Sequence, residues 1–172
     1  MLVLSGFLAA ADCHRIRAAM DRGGASPAEI YADGFVVDEE TRRAFEVDVA
    51  EDIIDEVERA IDAVRPQVAQ FFGVALSRDE GPGFLRYPRG GFYRAHRDVV
   101  PGSDELARRI SIVVFLTSAG EGCEGGSLRL YSGEQVDIPP RAGMLVAFPS
   151  DVPHEVLPVT AGTRDAVVDW FY

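Results

Sequence analysis

Hydrophobic residues in the first half of the chain recur at helical spacing. In residues 9–22 they lie three and four positions apart, and the pattern stops at Gly23 and Gly24. The same spacing returns in residues 50–72. Residues with this period share one face of a helix, so the pattern predicts two amphipathic helices. The mixed segment 30–49 between them predicts an edge strand and a loop.

The second half has a different pattern, made of short runs rich in Val, Ile, Phe and Tyr and separated by Gly and Pro. The runs are 84–87, 92–96, 110–116, 127–131, 135–138, 144–148, 154–157 and 164–171. Eight short strands at this spacing favour a β-sandwich or barrel over a parallel sheet. We therefore expect a mainly β protein with flanking helices (α+β). Residues 1–172 are interpreted as one domain, with helices in 9–72 packed on a β-core of 84–172.

Composition narrows the classes of partner. The chain is 47% apolar and 26% charged, as in ordinary globular proteins, and its formal net charge is −11. Nucleic-acid binding needs a basic surface, so a nucleic-acid partner is not expected. No apolar run reaches the length of a membrane span, so no membrane partner is expected either.

The N-terminal sequence and the number of cysteines predict the cellular location of the protein. No basic residue precedes Arg15, so the N-terminus does not resemble a secretory signal. Cys13 and Cys123 are the only cysteines, one in a predicted helix and one in a glycine-rich loop. A disulfide framework is therefore not expected, and the composition predicts a cytoplasmic protein.

Three polar residues in the β-rich half suggest a metal site. His96 and Asp98 are two positions apart, and residues at that spacing on a strand point to the same face. His154 begins another predicted strand. Two imidazoles and one carboxylate on one face of an ion form the ligand set of non-haem iron(II) oxygenases, which leaves other positions open. His14, on the polar side of the first helix, is interpreted as a solvated residue.

Arg164 strengthens the metal hypothesis. A turn at residues 159–162 would fold the strand 164–171 back beside the strand that carries His154. Arg164 would then lie deeper in the same cavity, where a guanidinium can bind a dicarboxylate with two parallel hydrogen bonds. Alone, it would be interpreted as a structural ion-pair partner; behind a metal-binding histidine, it is interpreted as a cosubstrate anchor.

From residue 84 onward the sequence resembles the prolyl 4-hydroxylase-like branch of the Fe(II)/2-oxoglutarate dioxygenases. The resemblance rests on five elements in order: FLRYPRGGFYRAHRD at 84–98, RRISIVVFL at 108–116, EGGSL at 124–128, PRAGMLVAFPS at 140–150, and the segment 154–170. It implies a double-stranded β-helix, a relative of the jelly roll and cupin folds. It also implies a catalytic Fe(II) bound by His96, Asp98 and His154.

The same resemblance assigns further roles. It implies that 2-oxoglutarate chelates the iron and pairs its far carboxylate with Arg164, and that Tyr87 contacts this cosubstrate. Phe115 stands where relatives often have Tyr, so one hydrogen bond to the cosubstrate is missing from the pattern. Arg108 and Trp170 match positions that some relatives use for peptide substrate, and the alternative for Trp170 is a plug at the end of the barrel. Ascorbate is a candidate additional cofactor.

The function expected from these residues is an oxidoreductase that uses O2 and 2-oxoglutarate to hydroxylate an unactivated C–H bond, in a prolyl residue of a peptide or protein. One alternative is a related oxygenase acting on a free small molecule. A second alternative, from another class, is a non-catalytic, metal-binding, cupin-like protein. Such a binding module has no need of both the metal ligands and Arg164, which favours an enzyme.

Overall fold

The computed structural model describes residues 1–31, 34–99 and 108–172. The helices are α1 (Ala10–Met20) and α2 (Glu51–Phe72). The first six strands are β1 (Leu2–Leu4), β2 (Ala25–Pro27), β3 (Ile30–Tyr31), β4 (Phe35–Val36), β5 (Arg42–Arg43) and β6 (Phe45–Val47). The next five are β7 (Gly83–Tyr87), β8 (Phe92–His96), β9 (Ile110–Phe115), β10 (Cys123–Gly125) and β11 (Leu128–Ser132). The last five are β12 (Glu134–Ile138), β13 (Leu145–Pro149), β14 (His154–Val156), β15 (Val159–Gly162) and β16 (Arg164–Phe171).

Both helices are where the hydrophobic spacing predicts them. In α2 the buried residues are Ile53, Val57, Ile61 and Val68, which repeat at helical spacing and form one apolar face. The helix ends at Gly73, whose φ of 66° is the left-handed conformation typical of a C-terminal glycine cap. This apolar face packs against the larger of the two main β-sheets. The described residues also form two small two-stranded sheets, β10 with β15 and β3 with β4.

The larger sheet has seven antiparallel strands in the order β1-β13-β9-β16-β7-β6-β2. Its two faces have different partners. On β9, Ile110, Ile112 and Val114 belong to the core shared with α1 and α2. Val113 and Phe115, which alternate with them, belong to a second core on the opposite face. The alternation follows from the pleat of a strand buried on both sides.

The smaller sheet has five antiparallel strands in the order β12-β11-β14-β8-β5. It faces the larger sheet, because Leu128, Leu130 and Ile138 of the smaller sheet share the second core with Val113 and Phe115. Two facing antiparallel sheets with helices on one outer face form the double-stranded β-helix that the sequence resemblance predicts. The candidate functional residues lie between the two sheets.

Two predictions about the end of the chain are wrong. Residues 159–162 are not a turn but form β15, which pairs with β10 and is hydrogen-bonded to the turn at Gly90 and Gly91. Strand β16 does not lie beside β14: it pairs with β7 and β9 in the larger sheet, whereas β14 pairs with β8 and β11 in the smaller one. The backbone polar groups of this segment have partners in β10 and at Gly91, whereas the φ of Gly162 is +67°. The chain therefore crosses between the sheets.

The N-terminal third contains more strands than predicted. The segment 30–49, expected to contribute one edge strand, contributes to four: β3, β4, β5 and β6. β5 forms an edge of the smaller sheet, and β6 joins β7 to β2. β1, which was not predicted, forms the other edge of the larger sheet beside β13.

Cys13 and Cys123 are both buried and free. The cytoplasmic location inferred from them stays a prediction. Within the described ranges, no helix combines the length and apolarity needed to cross a bilayer.

Candidate metal centre

Two histidines and an aspartate meet at one end of the space between the sheets. His96 ends β8, His154 begins β14, and the two are direct cross-strand partners. Asp98 follows β8, and its backbone N–H donates to the carbonyl of Ser150 at 3.0 Å. One donor atom from each of the three side chains lies within 4.8 Å of the others. The structure therefore brings together the three residues predicted as metal ligands.

The histidine rings are oriented through their Nδ1 atoms. Nδ1 of His96 lies 2.8 Å from the carbonyl oxygen of Arg94, and Nδ1 of His154 lies 3.1 Å from that of Val152. A carbonyl accepts but cannot donate, so Nδ1 carries the proton in each ring. The lone pair then lies on Nε2, which faces Asp98 at 3.4 Å from His96 and 3.5 Å from His154. This tautomer is the one that a metal ligand bound through Nε2 requires.

Burial and neighbouring charges favour the ligand protonation states. Burial lowers the pKa of His154 to about 4, with the charge of Asp98 opposing the shift. Burial alone would raise the pKa of Asp98, but its contacts with His96 and His154 and the hydrogen bond from the Trp170 indole outweigh burial, so the net shift is downward. At neutral pH the site therefore offers a neutral imidazole at His154 and an ionised carboxylate, the forms that bind divalent metal ions.

Aromatic rings enclose the two histidines. The ring of Tyr93 stacks on that of His96, with centroids 3.5 Å apart. The ring of Phe148 meets His154 edge-on at 4.7 Å. Burial raises the pKa of Tyr93 to about 12, so its hydroxyl stays protonated. These contacts fix the imidazole planes and reduce their exposure to water.

Arg164 lies in the same cavity as the histidines and is completely buried. It is the cross-strand partner of Tyr87, and its guanidinium carbon lies 4.9 Å from the Tyr87 ring centroid and 5.0 Å from that of Phe115. Among the described residues, Nε of Arg164 has no hydrogen-bond partner. Burial lowers its pKa. This guanidinium is buried, flanked by aromatic rings and without a hydrogen-bond partner at Nε. Such a group favours the binding of a carboxylate, which would supply both the missing partner and the opposite charge.

Arg108 and Trp170 also line the cavity, at the metal end. Arg108 precedes β9 and forms a bidentate ion pair with Glu80. The guanidinium carbon of Arg108 lies 3.7 Å from the centroid of the Trp170 ring. The indole N–H of Trp170 donates to Oδ2 of Asp98 at 2.9 Å. Both predicted substrate residues therefore already have partners within the chain. The cavity that contains all these groups has a volume of about 770 Å³.

Sequence comparison decides the family. The model of the 2OG-Fe(II) oxygenase superfamily matches residues 82–172, more than half of the chain. The chain belongs to this superfamily. Its residues also fit the two groups in that name: the imidazole–carboxylate set suits iron(II), and the unpartnered Arg164 suits the distal carboxylate of 2-oxoglutarate.

Individual relatives carry related descriptions. A PKHD-type hydroxylase of Stenotrophomonas maltophilia is 39% identical over 108 residues, which cover 58% of this chain and 47% of the relative. This chain thus spans about half the length of the curated relatives it matches. Among solved structures, a Pseudomonas putida prolyl-4-hydroxylase is 30% identical with a TM-score of 0.78, covering 99% of this chain and 90% of that one.

A second solved structure supports the fold alone. It is a prolyl hydroxylase of Trichoplax adhaerens in complex with a fragment of the hypoxia inducible factor oxygen degradation domain. It is 21% identical, with a TM-score of 0.82, and the match covers 99% of this chain and 82% of that one.

Several residues at the site were not found by sequence reasoning. Ser111 donates to Asp98, Tyr93 stacks on His96, Glu80 pairs with Arg108, and Gly126 packs against Arg164. One signal was available: Ser111 is the only polar residue in the strand Ile110–Phe115, and it is buried. Buried hydroxyls normally have a hydrogen-bond partner, so a polar neighbour could have been expected there.

Proposed function

We propose that this chain is an iron(II)- and 2-oxoglutarate-dependent hydroxylase that acts on a prolyl residue of a peptide or protein. One observation carries the proposal: the His96–Asp98–His154 cluster shares a cavity with Arg164, a fully buried cation whose Nε has no partner in the described part of the chain. A buried charge is costly unless it has a binding partner, and the cosubstrate of the family supplies one.

In this proposal His96, Asp98 and His154 bind iron(II), and Arg164 binds the far carboxylate of 2-oxoglutarate. Iron(II) and 2-oxoglutarate, when bound, supply the oxidation of a C–H bond by O2, with conversion of 2-oxoglutarate to succinate and CO2. The two histidines present Nε2 because their Nδ1 protons are donated to backbone carbonyls. Asp98 contributes the negative charge.

The other residues orient the reactants and exclude water. Tyr87 and Phe115 flank the guanidinium of Arg164 and leave it few solvent contacts, which strengthens its attraction for a carboxylate. The Tyr93 and Phe148 rings cover the histidines from the sides. Because these contacts are made within the chain, the side chains need little reorganisation to bind a ligand.

A prolyl substrate is supported by the relatives and by the cavity. The curated relatives are described as PKHD-type hydroxylases, and the Pseudomonas putida structure as a prolyl-4-hydroxylase. A cavity of about 770 Å³ is large for 2-oxoglutarate alone and leaves room for part of a second molecule. Tyr31 and Phe35, both exposed, line this cavity and offer apolar contacts to a peptide. Ascorbate is proposed as an additional reductant.

The proposal is tested by aerobic incubation of the protein with iron(II), 2-oxoglutarate and a set of proline-containing peptides, with free proline and other amino acids in parallel. Mass spectrometry should show a peptide that gains one oxygen atom, labelled when 18O2 is used, in step with succinate. A product found only among the free amino acids would favour the small-molecule alternative. Failure to form succinate under any of these conditions would contradict an oxygenase.

A further inference from the structure

One oxygen of Asp98 has both of its lone pairs engaged. Oδ2 accepts a hydrogen bond from the indole N–H of Trp170 at 2.9 Å and one from the Ser111 hydroxyl at 2.7 Å. The Ser111 hydroxyl lies 3.0 Å from that of Ser150, which can donate to it in turn. A carboxylate oxygen has two lone-pair positions, so these donors leave Oδ1 as the freer oxygen.

The indole itself is fixed from its other side. The guanidinium of Arg108 lies over the ring at 3.7 Å, close enough for a cation–π contact. Glu80 binds this guanidinium with both carboxylate oxygens, and Tyr172 donates its hydroxyl proton to Glu80. The hydrogen bond with Glu80 raises the pKa of Arg108 despite its burial, so the cation persists. A continuous set of contacts thus runs from Glu80 to Asp98.

We propose that Trp170 is a positioning residue for Asp98: together with Ser111 it binds Oδ2, which lies 3.5 Å from Nε2 of His154, and so leaves Oδ1, 3.4 Å from Nε2 of His96, for the metal. This inference rests on the proposed function, since it takes Asp98 as a metal ligand. It assigns Trp170 a role beyond the substrate contact that the family resemblance implies. A carboxylate restrained in this way binds through one oxygen and leaves more of the metal open to reactants.

The first test uses Trp170→Phe, which removes the N–H but keeps an aromatic ring under Arg108. Binding of Co(II), an oxygen-tolerant probe, is measured by calorimetry. We expect its affinity to fall about 10- to 100-fold, the usual effect of losing a hydrogen bond to a metal ligand. Tyr131→Phe is the matched control, because it removes an aromatic polar group of the smaller sheet that contacts Glu155 and takes no part in the contacts between Glu80 and Asp98. Its Co(II) affinity should equal that of the wild type.

The second test needs no substitution at Trp170. The chain has a single tryptophan, so a 15N-labelled sample gives one indole N–H resonance. Adding Zn(II), a diamagnetic probe, should shift this resonance, because the charge on its acceptor Asp98 is then shared with the metal. Ser111→Ala supplies an independent variant if Trp170→Phe does not fold, and it should also weaken Co(II) binding.

The outcomes separate the two proposals. No Co(II) or Zn(II) binding by the wild type would contradict the proposed function itself. Tight binding by the wild type with equal affinity in Trp170→Phe and Ser111→Ala would overturn only the positioning role. An indole resonance that does not move at saturating Zn(II), or an equal loss of affinity in Tyr131→Phe and Trp170→Phe, would overturn it as well.

Discussion

Gly126 lies directly against the side chain of Arg164. A Cβ atom at residue 126 would come within 2.9 Å of Arg164 Cδ and 3.1 Å of Val159 Cγ2. The φ of Gly126 is +65°, a conformation that other residues rarely adopt. The path of the Arg164 stem, and with it the position of the guanidinium, therefore depends on a bare backbone at residue 126.

Gly126→Ala should weaken 2-oxoglutarate binding while metal binding persists, because the new methyl group displaces Arg164. Gly133→Ala is the matched control. Its φ is +79°, so the backbone strain is similar, but no described atom lies within 4 Å of the added Cβ. Calorimetry with 2-oxoglutarate and Co(II) measures both variants. Equal dissociation constants for the two would show that Gly126 does not position Arg164.

Removing the guanidinium should have the larger effect. Arg164→Ala leaves the distal carboxylate of 2-oxoglutarate without its cation in a buried site, a loss of about 2–5 kcal/mol by analogy with other buried charge pairs. Arg164→Lys should keep part of the affinity, since a point charge remains without the planar two-bond geometry. Co(II) binding serves as the control for an intact metal site. An Arg164→Ala variant that binds 2-oxoglutarate as tightly as the wild type would place the anchor elsewhere.

Asp169 should make the stability of the protein depend on pH. Its buried Oδ1 accepts backbone N–H bonds from Glu80, Gly81 and Trp170, but Oδ2 lacks a partner within residues 1–31, 34–99 and 108–172. Burial raises its pKa to about 6, above the value of about 3.9 in an unfolded chain, and the nearby charge of Asp79 adds to the shift. The folded state therefore retains a proton that the unfolded state loses as the pH rises from about 4 to 6.

Stability due to this group consequently falls over that interval and stays low above it. Asp169→Asn keeps an oxygen for the backbone donors and removes the charge. We expect it to raise the free energy of unfolding by about 1–3 kcal/mol at pH 8, with the difference disappearing near pH 4. Urea denaturation at both values measures this. A difference that is the same at pH 4 and pH 8 would show that the titration of Asp169 is not its cause.

The helices and strands could be predicted from local sequence patterns, whereas the connections between the two main sheets could not. The short apolar run at residues 164–171 and the helical spacing in 50–72 are local properties, and both predicted elements are present. The partner of β16 is a long-range property. The error at residues 159–162 arose because this short segment ending at Gly162 was interpreted as a turn, although Val159 is buried and the backbone pairs with β10.

The residues of the candidate site also fall into a group that the sequence predicts and a group that it does not. His96, Asp98 and His154 could be selected because few residue types bind iron and their spacing on strands is informative. The residues that support the metal ligands could not be selected in this way. Ser111 and Trp170 are remote in sequence and become neighbours only when β9 and β16 pair. Glu80 is remote from both and reaches the site through its ion pair with Arg108. The resemblance indicated Trp170 as a site residue, but its hydrogen bond to Asp98 depends on the distance between side chains in the folded protein.

The most direct measurement of the central claim is the rate of succinate formation from 2-oxoglutarate in air with added iron(II), for the wild type and for Asp98→Ala. Asp98→Ala removes the only carboxylate of the metal cluster. Its thermal unfolding is measured alongside, to establish that the variant is folded. The wild type should form succinate, slowly even without a prime substrate, and the folded variant should form none. Succinate formation by Asp98→Ala at the wild-type rate would contradict the assignment of this cluster as the iron site.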